Sequence, residues 1–293
     1  MFGDGVGVVT ICSSAHLDVW RLTTQLLPKY VQADNYRLFV PREEIPLFQG
    51  VSASCFEILS QDELGLSYRP RLEAACESAG NAGRFGWYLQ QFYKIEALLQ
   101  SRYDRCVIWD ADCVPLAPFR LFSKEGKPRY MMAGEHHRPY FEVIEKLLGM
   151  TRVQDFSFVV PGFPIPRIWL EQLVVFIQER TNSADWWDAL IDVIDFGLLS
   201  GFSETETLGT WVANQHPTDF EVFPVNWERR GHSSFGHARE HSPDSLQVLA
   251  KGSGLEIITF ENWDIPTRKS FIRKVVRAMR ELPSNPTLTR RRR

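Results

Sequence analysis

An apolar run near the middle of the chain, Cys106 to Trp109, ends abruptly in two aspartates, Asp110 and Asp112. A short run of this kind predicts a β-strand buried in a sheet. If the backbone stays extended beyond Trp109, the two carboxylates point the same way, because alternate side chains of a strand lie on opposite faces. Ligands of open α/β sheets bind at the carboxyl ends of the strands. The two aspartates are therefore the first candidates for a functional site.

The segments around this run alternate between strand and helix patterns. Strands are predicted at 6–11, 36–40 and 55–59, and helices at 17–30 and 87–102. This order favours an α/β fold with a mostly parallel central sheet flanked by helices. Further strands are predicted at 130–133, 156–160, 221–225 and 256–260, and further helices at 168–180 and 185–195.

The charge of the chain is divided between its body and its last residues. Residues 267–293 contain ten Lys or Arg residues and one acid, Glu281, although the whole chain has a net charge of −3. We therefore expect one domain at 1–266, followed by a basic amphipathic helix at 267–282 and a disordered, arginine-rich end. The helix has the pattern of a peripheral membrane contact, but a helix packed on the body looks similar.

The five cysteines are scattered and form no C-x-x-C pair. This pattern is typical of buried thiols in a reducing compartment, not of disulfides or a zinc site. The first apolar run lacks the basic flank of a signal peptide, and no stretch approaches the roughly 20 apolar residues of a membrane span. The sequence therefore predicts a cytoplasmic protein, and contact of the basic helix with the inner membrane face stays open.

A second motif, Ser203 to Gly209, contains two glutamates, Glu204 and Glu206. Ser203 and Glu206 have the spacing of a capping box, in which the glutamate side chain bonds the serine amide and does no chemistry. Glu204 would then lie in the first helical turn, where the helix dipole favours it. A carboxylate at this position could instead act as a general base towards an acceptor hydroxyl. Both interpretations stay open.

Asp110 and Asp112 supply the anionic oxygen atoms that a hard divalent cation carrying substrate phosphates prefers. Two acids that merely line a loop are the plainer interpretation, because D-x-D triplets occur often by chance. The histidines match no zinc motif, and most single histidines are ordinary hydrogen-bonded residues. His232 or His237 is nonetheless a candidate for a third metal ligand.

Taken together, these motifs resemble those of GT-A glycosyltransferases, nucleotide-sugar-dependent enzymes marked by a D-x-D after a buried strand. The likeness extends over about 6–227 and is nearest to a mostly bacterial group of that fold. The chain differs from this group at Thr205 and Leu208, where the group often has aromatic residues. The matching residues are Ser13, Ser14, His16 and Asp18; Gly86, Trp87, Gln90, Gln91 and Lys94; Trp109 to Asp112; and Ser203, Glu204, Glu206 and Gly209.

The resemblance implies a GT-A-like fold, a nucleotide-sugar donor, a glycan or polysaccharide acceptor, and Mn²⁺ or Mg²⁺. It implies that Asp110 and Asp112 bind the metal, which bridges Asp110 to the donor diphosphate. Glu204 or Glu206 would face the acceptor or the sugar. Donor contacts are implied for Thr10, Ser13 and Ser14, which would hold the nucleotide, and for Gln91 and Lys94, which would reach the diphosphate or the sugar.

Two other functions stay open. A glycosyltransferase of this fold could act on modified DNA bases, with the basic tail at 267–293 gripping phosphates. A non-catalytic module that binds a nucleotide or a partner protein would also accommodate the motifs. A salt-dependent affinity for DNA would favour the first, and donor binding without any transfer would favour the second.

Overall fold

The centre of the molecule is a five-stranded sheet, seen in a computed structural model that describes residues 3–64 and 67–265. In spatial order its strands are β3 (Phe56–Ser60), β2 (Asn35–Val40), β1 (Gly3–Ile11), β4 (Tyr103–Trp109) and β7 (Gly162–Pro166). Strands β1 to β4 pair in parallel, whereas β7 runs antiparallel to β4 at the edge. The mostly parallel sheet predicted from the sequence is confirmed.

Helices pack around this sheet and carry most of the predicted helical segments. Helix α4 packs against β1 and β4, and α6 packs against β4, β7 and α4. The helices are α1 (Leu17–Tyr30), α2 (Ile45–Gln49), α3 (Arg69–Ser78), α4 (Phe85–Leu99), α5 (Arg138–Leu148), α6 (Arg167–Thr181), α7 (Trp186–Val193), α8 (Glu204–Gln215), α9 (Gly231–Phe235) and α10 (Pro243–Ser253). The short strands are β5 (Cys113–Pro115), β6 (Arg129–Met131), β8 (Glu221–Phe223), β9 (Trp227–Glu228) and β10 (Ile257–Thr259).

A small three-stranded sheet joins the end of the described chain to the turn that carries the aspartates. Strand β10 lies between β5, with which it pairs antiparallel, and β9, with which it pairs in parallel. Just beyond β10, the amide of Phe260 donates a hydrogen bond of 3.0 Å to the carbonyl oxygen of Asp112. This pairing brings together residues that are about 150 positions apart in sequence. No local sequence pattern reveals such a contact.

The strand predicted at 156–160 is wrong. The segment is irregular, and its β-bridge between Ser157 and Ala133 lies outside the named strands. The amide of Phe158 donates to the side chain of Glu206 at 3.0 Å, so a donor that a strand ladder would use is committed elsewhere. The segment therefore fixes a loop against helix α8 and does not extend the sheet.

The edge strand β7 follows this loop and was not predicted, because Pro164 and Pro166 lack the amide hydrogens of a normal ladder. Edge strands tolerate proline, since one side of the strand needs no partner. Here Pro164 lies opposite Val107 and Pro166 lies opposite Arg105 of β4. The prolines thus mark an edge and do not prevent a strand.

Four of the five cysteines are buried free thiols, as predicted, whereas Cys55 is exposed in a turn before β3. The prediction was wrong at Cys55 because the strand begins one residue later. No described helix is both long and apolar enough to cross a lipid bilayer. The predicted basic helix at 267–282, the tail and the boundary at 266 lie outside the described residues and stay predictions.

Gly209 lies in α8 against the ring of Phe158, and a Cβ atom at this position would overlap that ring. Alanine normally stabilises a helix by about 1 kcal/mol relative to glycine. We expect Gly209→Ala to lower the free energy of unfolding by about 1–3 kcal/mol instead, because the ring is confined in the core. Thermal unfolding measures the change.

Gly86, in α4, is the matched control, because nothing lies within 4 Å of a Cβ atom built on it. Gly86→Ala is expected to keep or raise the melting temperature. If Gly209→Ala also keeps or raises it, the close packing of Phe158 on α8 is contradicted.

Candidate active site

Asp110 and Asp112 lie on a turn at the carboxyl end of β4. The amide of Asp110 donates to the carbonyl oxygen of Pro161 at 2.9 Å, and the amide of Cys113 donates to that of Asp110 at 3.1 Å. The extended backbone predicted through Asp112 is therefore wrong. Burial first, and the charge of Asp110 second, raise the pKa of Asp112 to about 6, so the two carboxylates still lie within electrostatic range of each other.

The ammonium group of Lys94 joins this turn to helix α8. Its Nζ lies 2.5 Å from Oδ1 of Asp110 and 2.6 Å from Oε1 of Glu204. Lys94 and Glu204 are buried, whereas the side chain of Asp110 is 32% exposed and borders solvent. Burial alone would lower the pKa of Lys94, but the two carboxylates outweigh it and raise the pKa above its ordinary value. Lys94 is therefore a fixed positive charge that links α4, the turn after β4 and α8.

The start of α8 is held so that Glu204 meets Lys94. The hydroxyl group of Ser203 accepts a hydrogen bond of 3.2 Å from the amide of Glu206, which is a normal helix cap. Oε1 of Gln91 accepts a hydrogen bond of 3.1 Å from the amide of Glu204. Gln91 is buried and orients the helix, and its implied contact with the diphosphate or sugar stays a prediction.

Glu206 does not complete the capping box, because its side chain bonds another loop. Its Oε2 accepts hydrogen bonds from the hydroxyl group of Ser157 at 2.6 Å and from the amide of Phe158 at 3.0 Å. Its Oε1 is buried without a hydrogen-bond partner among the described residues. Burial raises the pKa of Glu206 above its ordinary value. Its proposed contact with acceptor or sugar stays untested.

Three residues that the sequence analysis did not identify, Glu135, Arg229 and Glu261, lie beside the aspartates. Burial first, and the charge of Asp112 second, raise the pKa of Glu261 to about 7. Nη1 of Arg229 donates to Oε2 of Glu135 at 2.6 Å, and its Nη2 lies 3.6 Å from Oε1 of Glu261. The sequence signal for Glu261 was its place just after a predicted strand, but no pattern shows that β10 pairs with β5.

The donor set fits a hard divalent cation. Burial and mutual repulsion raise the pKa values of Asp112 and Glu261, as expected for carboxylates whose charge a cation would offset. Mn²⁺ and Mg²⁺ favour carboxylate oxygen atoms, and Mg²⁺ commonly takes one or two of them together with waters and substrate phosphates. Within 3–64 and 67–265, no three His, Cys, Asp or Glu side chains form a complete metal site. Asp110 and Asp112 would thus need ligands from substrate and water.

The predicted nucleotide-binding loop runs from Thr10 to Ser14 at the same edge of the sheet, since β1 and β4 are parallel neighbours. The side chain of Thr10 is fully buried, Ser13 is half-buried and Ser14 is exposed. The amide of Ser14 donates to Glu44 at 2.7 Å. Ser13 and Ser14 therefore have accessible side chains, whereas Thr10 supports the loop. Their contact with a nucleotide stays a prediction.

The two candidate histidines lie together at the other side of β10. The rings of His232 and His237 are 5.5 Å apart, and His232 packs on Phe260. Burial lowers the pKa of His232. His16 lies within electrostatic range of Glu261 and Asp110. Burial lowers the pKa of His16, and the charges of Glu261 and Asp110 offset only part of that effect. His16 and Glu261 are therefore better placed beside the aspartates than His232 or His237.

The model of DUF6492, described as a family of unknown function, matches residues 22–264 of the chain. No curated protein matches the sequence. Among solved structures, the crystal structure of mouse xyloside xylosyltransferase 1 in its apo form aligns with 89% of this chain and 99% of that chain. The sequence identity is 12% and the TM-score is 0.49, so this likeness carries no argument about activity.

Lys94→Met would leave the buried carboxylate of Glu204 without its partner. We expect a loss of about 3–5 kcal/mol in the free energy of unfolding, the usual cost of breaking a buried ion pair. Lys94→Met/Glu204→Gln also removes the buried charge of Glu204. The double variant is therefore expected to lose less free energy of unfolding than Lys94→Met alone. Denaturant unfolding of the wild type, both single variants and the double variant gives the coupling energy. Additive losses would contradict the ion pair.

The raised pKa of Glu206 means that ionisation of this side chain opposes folding. The free energy of unfolding therefore falls as the pH rises from the pKa of Glu206 in the unfolded chain to its higher pKa in the folded state. Glu206→Gln keeps an acceptor oxygen for Ser157 and Phe158 but cannot ionise. We expect its melting temperature to rise relative to the wild type across this pH range and to level off above it.

Thermal unfolding between pH 4 and pH 8 measures this difference, with Glu145→Gln, an exposed position on α5, as the control. The control difference is expected to be small at every pH. If the difference in melting temperature between Glu206→Gln and the wild type does not vary with pH, the ionisation of a buried carboxyl group at Glu206 is contradicted.

Proposed function

The chain belongs to the DUF6492 family, and we propose that it is a metal-dependent glycosyltransferase that moves a sugar from a nucleotide-sugar donor to a hydroxyl group of a glycan or polysaccharide. The observation that carries the proposal is the network of Asp110, Lys94 and Glu204 at the carboxyl edge of a parallel sheet. Ligands of α/β folds bind at this edge. The ordered sequence motifs that lie around the network support the same reaction.

Sugar transfer separates the sugar from a nucleoside diphosphate, on which negative charge grows as the bond breaks. Arg229 is suited to this charge, because a guanidinium group offers paired donors to phosphate oxygen atoms. Its side chain is 39% exposed and is held by Glu135 and over the ring of Trp227. We therefore assign Arg229 to the diphosphate of the donor.

Asp110 and Asp112, together with ligands from substrate and water, would hold Mn²⁺ or Mg²⁺, which would stabilise the departing diphosphate as a Lewis acid. Lys94 fixes the orientation of Asp110 before any ligand binds. The ammonium group is held by Glu204, and its ion pair with Asp110 leaves the Asp110 carboxylate little freedom. Such preorganised charges cost no rearrangement at the moment of reaction. Lys94 is thus a positioning residue in this proposal.

The two glutamates of α8 take different roles. Glu204 is paired with the ammonium group of Lys94 at 2.6 Å, so its carboxylate is already committed to a buried ion pair. We assign it to hydrogen bonds with hydroxyl groups of the sugar. Glu206 is buried and bonds Ser157 and Phe158, so it positions the loop that covers α8. This proposal therefore gives the general-base role to neither glutamate.

The two alternative functions lack support in the described residues. Action on modified DNA bases depends on the basic tail at 267–293, which lies outside them. A non-catalytic binding module would not need the charge arrangement at Asp110, Lys94 and Glu204, which costs desolvation energy. Sugar transfer to a glycan therefore accounts for more of the described site.

Release of nucleoside diphosphate from a panel of nucleotide sugars, with a panel of glycan acceptors and Mn²⁺ or Mg²⁺, tests the proposal. We expect Asp112→Asn to reduce turnover by roughly 100-fold or more, a typical loss when a charge that acts on the transition state is removed. EDTA is expected to have the same effect on the wild type. The melting temperature shows that the variant is folded.

The matched control is Asp104→Asn, which changes an exposed aspartate near the amino end of the same strand, β4. It is expected to keep full turnover. Wild-type turnover in Asp112→Asn, or turnover that is unchanged in EDTA, would reject the metal role. Donor binding without release or transfer on any acceptor would favour the non-catalytic module.

A further inference from the structure

A cavity lies on the amino-terminal half of the central strands, away from the aspartates. Its volume is about 410 Å³, and Val6 of β1 and Arg105 and Val107 of β4 form one wall. Arg105 precedes Asp110 by five residues, which corresponds to about 16 Å along a strand. The cavity is therefore separate from the turn that carries the aspartates.

Basic side chains dominate the rim of this cavity. Arg105, Arg120, Lys124 and Arg129 line it, together with a single acid, Glu221. Nε of Arg129 donates to Oε2 of Glu221 at 2.9 Å, so the one acid is already paired. In the part of the chain that the structure describes, the side chains of Arg120 and Lys124 form no hydrogen bond or ion pair, and both are exposed. The body of the chain is acidic, so this concentration of positive charge is local.

The loop that carries Arg120 and Lys124 is fixed by backbone hydrogen bonds. The amide of Phe119 donates to the carbonyl oxygen of Tyr30 at 2.7 Å, and the amide of Arg129 donates to that of Leu121 at 2.9 Å. At the tip of the loop, the amide of Ser123 donates to the carbonyl oxygen of Lys127 at 2.8 Å. The cationic groups are thus attached to an ordered backbone, which lowers the entropy lost when a ligand binds.

The lining of the cavity has two chemically different parts. Val31 and Phe119 are buried and Val6 is partly buried, whereas Arg120 and Lys124 are exposed. Small-molecule sites typically have volumes of about 300–1,000 Å³, mostly apolar walls and a few charged groups that fix orientation. The volume and lining of this cavity match that description.

We propose that this cavity binds an anionic ligand that carries two or more phosphate or carboxylate groups on a small carbon skeleton. Arginine forms paired hydrogen bonds with both kinds of anion, and lysine adds a point charge. The carbon skeleton contacts the apolar wall formed by β1, β4 and Phe119. The cavity is separate from the proposed donor site at Asp110 and Asp112, so this assignment does not depend on the proposed glycosyl transfer.

The ligand has two chemical sources, a soluble phosphorylated compound or the head group of an anionic lipid. Inorganic pyrophosphate probes the first, and phosphatidylcholine vesicles with and without phosphatidic acid probe the second. Calorimetry with pyrophosphate is carried out on the full chain in metal-free buffer prepared with a chelating resin, which keeps a metal-dependent donor site from contributing and adds no soluble polycarboxylate. Cosedimentation measures binding to the vesicles.

We expect Arg120→Ala/Lys124→Ala to weaken pyrophosphate binding about tenfold or more, because two charge-assisted contacts are lost. Arg239→Ala/Lys251→Ala removes the same charge from two exposed positions elsewhere and is expected to bind like the wild type. Thermal unfolding confirms that both double variants are folded. A loss seen only with phosphatidic acid vesicles supports the site and identifies the lipid source. Equal binding by the two double variants in both assays, or no binding by the wild type in either, overturns the proposal.

Discussion

The site depends on one buried cation, Lys94, between two carboxylates. Its ammonium group reaches from helix α4 to the turn after β4 and to the first residue of α8, within 2.6 Å of Asp110 and Glu204. Buried ion pairs of this kind often contribute little net stability, because the charges lose their hydration. What the arrangement does provide is orientation, since three elements from different parts of the sequence meet at one fixed charge. The proposed donor site uses that fixed geometry.

Charge is distributed unevenly along the two central strands. Acidic side chains follow β4 and β10, and burial with mutual repulsion raises the pKa values of Asp112 and Glu261. Along the amino-terminal half of β1 and β4, basic side chains line a cavity with an apolar wall. The proposed sites therefore recognise phosphate in different ways. At the carboxyl end a cation would share the contact with Arg229, whereas the cavity offers arginine and lysine alone.

Local sequence patterns predicted most of the sheet and helices, because periodicity and β-rich runs report on elements whose partners are nearby. Helix α1 and strands β1, β2 and β4 were recognised in this way. Two errors both concern backbone amide donors, which are used elsewhere in one segment and are missing at the prolines of the other. The segment at 156–160 alternates like a strand but bonds Glu206, and β7 contains prolines that an edge strand tolerates.

The sequence by itself determined the α/β class, the position of Asp110 and Asp112 after a buried strand, and the presence of Lys94, Glu204 and Glu206 as candidates. Tertiary structure decided their relations. It paired Lys94 with both Asp110 and Glu204, directed Glu206 towards the loop at 157–158, and placed Glu261 and Arg229 beside the aspartates. The physical reason is that charges interact through space, and the pairing of β5 with β10 sets those distances without leaving a local pattern in the sequence.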